Sequence, residues 1–326
     1  MSGTATYTVR RALYETLAEA LESDPSVVLM GEDIGPYGGA FGVTGDLYLR
    51  FPERLITTPI SENSFVGAAL GASMTGLRPV VELMFMDFVT LAMDQLVNHA
   101  AKVRYMYDGQ YAAPLVLRAP FGGRRGYGPS HSQSLESWFM SVAGIKTVCP
   151  STPADAAQLL KAAIADDGPV LFLEHKLLYG EEGPRPDASA AALGKAVVRR
   201  VGSDISLVAY GWMRRMAEQV AEGLAAEGLS CEVIDLRTLK PVDRDTVFAS
   251  VRKTGRVVIL EEGNKTGGVG AEVAACIAEE CLEHLRGRVV RVGAADAPVP
   301  AAPKLEQSVL PQLEDIVAAC QRAFAW

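Results

Sequence analysis

Hydrophobic positions along the first half of the chain change period repeatedly. Val9, Leu13, Leu17 and Leu21 recur every four residues, which places them on one face of a helix. Short β-branched runs bounded by Gly, Pro or charge then predict strands at Val27–Met30, Arg54–Thr57, Pro79–Leu83, Pro114–Arg118, Lys146–Cys149 and Val170–Leu173. Between them the spacing predicts helices at Asn63–Thr75, Asp87–Met106 and Pro153–Asp166, the last with Pro in the first turn, where its missing N–H costs nothing. Strand followed by helix, repeated in this way, is the signature of a mainly parallel sheet covered by helices. From Leu178 the pattern breaks into Tyr-Gly-Glu-Glu-Gly-Pro-Arg-Pro-Asp and a small-residue run at Ala188–Ala192, a composition suited to an exposed connection. A second alternation follows, with strands at Ile205–Ala209, Cys231–Leu236, Arg256–Leu260 and Arg288–Val292. Its helices are expected at Met213–Glu227, Asp243–Val251 and Gly268–Leu285, with a Pro/Ala-rich turn at Ala297–Pro303 and a closing helix over Leu310–Phe324. The chain is therefore expected to form two doubly wound α/β domains, residues 1–180 and 197–326, joined by a linker at 181–196.

Composition narrows the setting more than the fold. Hydrophobic residues are 49% of the 326, enough to fill two cores. Thirty-nine acidic against 31 basic side chains leave a formal charge of −8, which gives no reason to expect a nucleic-acid or anionic-membrane surface. The longest uncharged stretch, Asn63 to Leu77, is broken by Gly, Ser and Thr and is shorter than the ~20 apolar residues of a membrane span. Met1 to Val9 has no apolar core of the signal-peptide kind, so a cytoplasmic protein is expected. Five cysteines without a Cys-x-x-Cys, beside four histidines, suggest neither a disulfide framework nor a zinc site.

Open α/β sheets bind ligands beyond the carboxyl ends of their strands, so the strand exits are the places to look for chemistry. Three stand out. Thr57-Thr58-Pro59-Ile60-Ser61-Glu62 puts a carboxylate at the mouth of a helix, where it is either a first-turn acid beside a Ser61 cap or a functional group. Glu82-Leu83-Met84-Phe85-Met86-Asp87-Phe88 reads as core packing or as a ligand-facing wall. Phe121-Gly122-Gly123-Arg124-Arg125-Gly126-Tyr127-Gly128-Pro129-Ser130-His131-Ser132-Gln133 is a glycine-rich loop that carries a histidine, for chemistry or merely in solvent.

In this order and context, the segments Gly31-Glu32-Asp33, Thr58-Pro59-Ile60-Ser61-Glu62, Gly76-Leu77-Arg78-Pro79, Met93-Asp94-Gln95, Ala100-Ala101-Lys102 and His131-Ser132-Gln133 resemble a known family. It is the β subunit of thiamine-diphosphate-dependent 2-oxo acid dehydrogenases, the E1 components of pyruvate, branched-chain and acetoin dehydrogenase complexes. The resemblance continues through Cys149-Pro150-Ser151, Pro169-Val170, Asp235-Leu236-Arg237-Thr238 and Val299-Pro300. It implies a transketolase-type pyrimidine-binding domain followed by a transketolase C-terminal domain. By motif position it implies Glu62 as the glutamate that activates the aminopyrimidine, and Ile60, Met84 and Phe88 as its apolar slot. It further implies His131 at acyl transfer, and a structural potassium ion held near Leu115, Ala163, Ile164, Asp166 and Gly168.

Thiamine enzymes anchor the diphosphate through Mg²⁺, using a Gly-Asp-Gly motif and later asparagines as oxygen ligands. This sequence has no Gly-Asp-Gly, and Asn63, Asn98 and Asn264 are far apart. Diphosphate and Mg²⁺ are therefore expected on an α subunit, in an α₂β₂ heterotetramer whose acyl acceptor is lipoyl E2. Pyruvate leads the substrates, followed by acetoin and branched-chain 2-oxo acids; a non-catalytic scaffold subunit is the reading from another class. Arg124 and Arg125 read either as carboxylate ligands or as solvated cations. The Thr266-Gly267-Gly268-Val269-Gly270 turn is expected to serve close helix–strand packing rather than a dinucleotide.

Overall fold

The computed structural model describes residues 7–186 and 190–325, so Asp187, Ala188 and Ser189 of the expected linker, and the first six residues read for a leader, lie outside the described residues. The chain divides into two units, one of residues 1–121 and 141–193, the other of 122–140 and 194–326. Residues 122–140 thus belong with the second unit although they lie within the first half of the sequence.

In the first unit the helix predicted from Val9 is α1 (Val9–Ser23), opened by Thr8, whose hydroxyl accepts the Arg11 N–H. The strands follow as β1 (Val27–Gly31), β2 (Leu55–Thr57), β3 (Arg78–Glu82), β4 (Val116–Phe121), β5 (Lys146–Val148) and β6 (Val170–His175). All six are parallel, in the order β5-β6-β4-β3-β1-β2. Helix α2 (Glu62–Met74) connects β2 to β3, and α3 (Pro153–Ala165), capped by Thr152 ahead of Pro153, connects β5 to β6. Leu13, Leu17 and Leu21 of α1 and Leu159, Leu160 and Ala163 of α3 cover one sheet face, burying Leu29, Val80, Val116 and Phe172. Full burial of such side chains contributes roughly 1.5–3 kcal/mol each, which is what holds the layer.

The predicted helix Asp87–Met106 is a correction. The segment winds as a 3₁₀ helix at Met86–Leu91, a π-helix at Asp94–Ala100 and one α-turn at Val103–Met106. Its buried positions explain the change of winding: Met86, Val89 and Ala92 are three apart, whereas Ala92, Leu96 and Ala100 are four apart. A tighter and then a wider spiral keeps all of them on one side.

The second unit holds β7 (Val197–Arg200), β8 (Ile205–Ala209), α4 (Gly211–Ala226), β9 (Cys231–Asp235), α5 (Arg244–Thr254), β10 (Val257–Asn264), α6 (Val269–Glu280) and β11 (Val289–Ala294). The order is β11-β10-β8-β9-β7, with only β7 antiparallel to its neighbour. The expected closing helix is α8 (Leu313–Phe324); a short helix that was not expected, α7 (Pro303–Val309), precedes it and ends ahead of Pro311, which cannot continue it. The five cysteines are buried and free, and no described helix is long and apolar enough to cross a membrane.

Candidate active site

The carboxyl ends of β1 and β2 bring two acids together. Thr58 N–H donates to the Gly31 carbonyl at 2.9 Å, which draws the β2–α2 loop against the end of β1. Glu62 opens α2 and is 5% exposed; Glu32, the first residue past β1, is 4% exposed. Burial pushes the Glu32 carboxyl up to about 7, and the charge of Glu62 adds to the shift, as does Asp33. Glu32 Oε1 is buried without a hydrogen-bond partner. Ser61 stands at the N-cap of α2, but its hydroxyl bonds Ser64 Oγ at 2.9 Å and caps nothing. Burying a carboxylate at a helix mouth that has no side-chain cap costs stability, so helix capping alone does not account for Glu62. Glu32 was absent from the expected site residues; the readable signal was an acid directly after a strand that parallel pairing sets beside β2.

The β3 exit supplies an aromatic wall. Leu83 and Met86 are fully buried and belong to the core, while Met84, Phe85 and Phe88 are half-buried. Phe85 meets Phe41 edge-on at 5.5 Å and Phe88 at 6.3 Å, and Phe41 stacks on Tyr179 at 5.1 Å. The Lys176 ammonium lies 5.1 Å from the Phe85 ring centre. Ile60, in the β2–α2 loop, is 78% exposed. Ile60, Glu62, Met84 and Phe88 therefore all fall at strand exits of the first unit.

Below the wall, Arg118 of β4 is 2% exposed and holds its neighbours' strand-end acids. It donates to both oxygens of Glu174 at 2.7 and 2.8 Å and to Glu82 Oε2 at 2.6 Å, and Tyr179 donates to Glu174 at 2.7 Å. Burial works against the Arg118 charge, but Glu174 and Glu82 outweigh it and hold its pKa above the usual range. Burial moves Glu82 upward.

His131 is carried by the second unit, half-buried, with Nδ1 3.0 Å from Ser130 Oγ. Arg124 is neither a solvated cation nor open to a substrate. Its Nε donates to Glu262 Oε2 at 2.6 Å and its Nη2 to the Pro311 carbonyl at 2.7 Å. Arg125 is exposed and leans over the Tyr127 ring at 5.6 Å. The glycine turn ahead of α6 holds one of the chain's own carboxylates: Gly270 N–H donates to Glu261 Oε2 at 3.0 Å, and a Cβ on Gly268 would come within 2.3 Å of that oxygen. That filling supports the packing reading of the motif.

Glu136, in the same 122–140 segment, is 1% exposed and accepts the Tyr210 hydroxyl at 2.7 Å. Burial pushes its carboxyl from 4.5 up to about 7, with the Tyr210 bond pulling the other way. The folded state therefore binds the proton more tightly than the unfolded chain, and stability falls as pH rises from about 4.5 through about 7. Glu136→Gln, which can still accept from Tyr210, is expected to raise stability at pH 8 by about 3 kcal/mol and to flatten that slope. Urea melts at pH 5 and pH 8 check this; an unchanged slope would refute it.

The five residues expected at a potassium ion lie at the opposite, amino end of the strands of the first sheet, where β4 and β6 begin. Leu115 O accepts from Val170 N–H at 2.8 Å, and Ala163 O from Asp166 N–H at 3.3 Å. The Arg78 guanidinium reaches Ile164 O at 3.0 Å and Asp166 O at 3.2 Å, while Lys146 and the Gly168 N–H both meet Asp166 Oδ1 at 2.8 Å. The set is gathered, and two cationic side chains already serve it.

Residues 5–182 match the transketolase pyrimidine-binding domain, and residues 194–316 the transketolase C-terminal domain. The mitochondrial pyruvate dehydrogenase E1 component subunit β-2 of Oryza sativa subsp. japonica is 46% identical over 322 residues, 97% of this chain and 86% of its own length. The pyruvate dehydrogenase E1 component subunit β of Rhizobium meliloti is 42% identical over 97% of this chain and 69% of its own. The acetoin:2,6-dichlorophenolindophenol oxidoreductase subunit β of Cupriavidus necator is 41% identical over 96% of both. A solved split-gene transketolase, described as an inactive β4 tetramer, superposes with a TM-score of 0.82 at 26% identity, over 97% of this chain and 98% of that one. The chain belongs to the family of 2-oxo acid dehydrogenase E1 component β subunits, built on the transketolase pyrimidine-binding and C-terminal domains.

Proposed function

We propose that this chain, with an α subunit, decarboxylates a 2-oxo acid, pyruvate in the first place, and passes the acyl group to the lipoyl group of E2. The observation that carries the reading is Glu62, a buried acid at a strand exit that helix capping does not explain, with Glu32 behind it and a half-exposed aromatic wall on the same strand ends. These residues suit an aminopyrimidine: Met84 and Phe88, with Ile60, offer apolar contact, and Glu62 offers the hydrogen bond. Thiamine diphosphate, when bound, supplies an acidic C2–H beside its own 4′-imino base. Glu62 orients the ring and shares a proton with its N1′. Burial inclines Glu32, behind it, to keep its proton near neutral pH. His131 would serve the second half-reaction, in which the decarboxylated unit is oxidised from the aldehyde to the acyl level as the lipoyl disulfide is reduced: one sulfur takes the acyl carbon as that carbon's bond to the cofactor breaks, and the imidazole would supply the proton to the other sulfur.

The reading gives the diphosphate and Mg²⁺ to the α subunit in an α₂β₂ assembly. Helix α2 favours such a partner, because Ser64, Ala68, Gly71 and Thr75 form an exposed small-residue face that another backbone can approach closely. A potassium ion sharing the free lone pairs of the Leu115, Ala163, Ile164 and Asp166 carbonyls, near Gly168, would brace β4 and β6 and take no part in the chemistry. A cytoplasmic location belongs to the same proposal; the plant relatives are named as mitochondrial. The Cupriavidus relative keeps acetoin as a second substrate. The chain alone is expected to be inactive, and co-expression with a Gly-Asp-Gly α chain to give thiamine-dependent CO₂ release. A panel of pyruvate, acetoin and branched-chain 2-oxo acids on the purified pair ranks the substrates; failure with every one of them would refute the reading.

A further inference from the structure

The segment Gly122–Met140 crosses the second unit as a strap fixed at both ends. At its start, two buried glutamates take its backbone and its one inward-turned cation. Glu262, 3% exposed, accepts Gly123 N–H at 2.8 Å on Oε1 and Arg124 Nε at 2.6 Å on Oε2. Glu306, 5% exposed, accepts Arg124 N–H at 2.7 Å and Gly126 N–H at 3.2 Å. Arg124 has a left-handed backbone, φ 69°, which a non-glycine residue adopts at a cost and which these bonds offset. Gly123 packs closely there, since a Cβ would come within 2.6 Å of Leu310 Cδ1 and the leucine tip would have to shift. At its far end, Glu136 holds Tyr210, and Met140 O accepts Lys240 Nζ at 2.6 Å. His131 lies between the two anchorages.

From this arrangement we infer that Glu262, Arg124 and Glu306 are positioning residues that set His131 for acyl transfer. The inference rests on the reading of His131 above and goes beyond it by assigning the transfer geometry to the second unit. Glu62 and the aromatic wall belong to the first unit, so loosening the strap separates the two half-reactions. Side chains that act through a held group change turnover more than affinity, because they alter how often the group stands correctly rather than what it contacts.

The test uses the purified α/β enzyme. Decarboxylation is followed with an artificial electron-accepting dye, and transfer by acylation of a free lipoyl domain. In Glu262→Gln and Arg124→Gln the expected result is a transfer kcat lowered about tenfold, an unchanged KM for the lipoyl domain, and dye-linked decarboxylation within about twofold of wild type. Arg124→Lys, which keeps the charge but not the two-way fork, should recover part of the loss. Hydrogen exchange should quicken in peptides spanning 122–140 and stay unchanged elsewhere, which separates a loosened strap from a misfolded unit; Glu306→Gln supplies an independent variant. Wild-type transfer in these variants beside a slowed His131→Ala overturns the inference alone. Wild-type transfer in His131→Ala overturns the histidine's role, and the inference with it.

Discussion

Glu62→Gln is expected to lower decarboxylation by roughly 10²- to 10⁴-fold, the span over which a positioned acid–base group contributes. The change is nearly isosteric, so α2 should still start at the same residue and the 5% exposure at that position should persist. What is lost is the capacity to exchange a proton with a ring nitrogen while keeping the hydrogen bond to it. Stability is expected to move the other way, because removing one of two neighbouring buried acids relieves the repulsion that helps raise Glu32. A loss of activity with retained or increased melting temperature therefore distinguishes a chemical role from a structural one. Activity above about a tenth of wild type would place Glu62 outside the acid–base machinery.

Arg118→Met is expected to be the most damaging substitution for the fold, at about 3–5 kcal/mol, because it leaves two buried acids without their counter-charge. Arg118 bridges the ends of three adjacent strands, β3, β4 and β6, by way of Glu82 and Glu174. Methionine fills most of the volume and satisfies neither carboxylate. The penalty should shrink in acid, since burial already favours the protonated form of Glu82 and removal of the cation strengthens that preference. Denaturant melts of variant and wild type at pH 8 and pH 5.5 check both parts. An equal loss at the two pH values would indicate a packing defect instead of an uncompensated charge.

Local pattern carried the sheet and half of the candidate site. Strand runs such as Val27–Met30 and Ile205–Ala209 were legible because strands buried on both faces read as unbroken apolar stretches. Glu62 stood out because a strand exit and a helix start coincide there, a pattern that equally suits a first-turn helix acid, and only the family resemblance implied its role. The helix expected over Asp87–Met106 failed because apolar spacing of three and four residues fits an α-helix equally well, and burial alone revealed where the winding changes. Glu32 escaped notice because its partner is thirty positions away and meets it only through the pairing of Gly31 with Thr57. The inward turn of Arg124 was invisible for the same reason on a larger scale: its acid, Glu262, lies in the other half of the chain.

The strap from Gly122 to Met140 also bears on how this architecture can be inherited. Its two halves are not self-sufficient modules joined at the expected linker, because the N-terminal half delivers a stretch whose hydrogen-bond partners, Glu262, Glu306, Tyr210 and Lys240, are encoded only in the C-terminal half. Recombination at that boundary with a gene lacking the matching residues would leave buried carboxylates unmet in one chimaera and an orphaned loop in the other, so acceptable chimaeras must carry both sides of these pairs together.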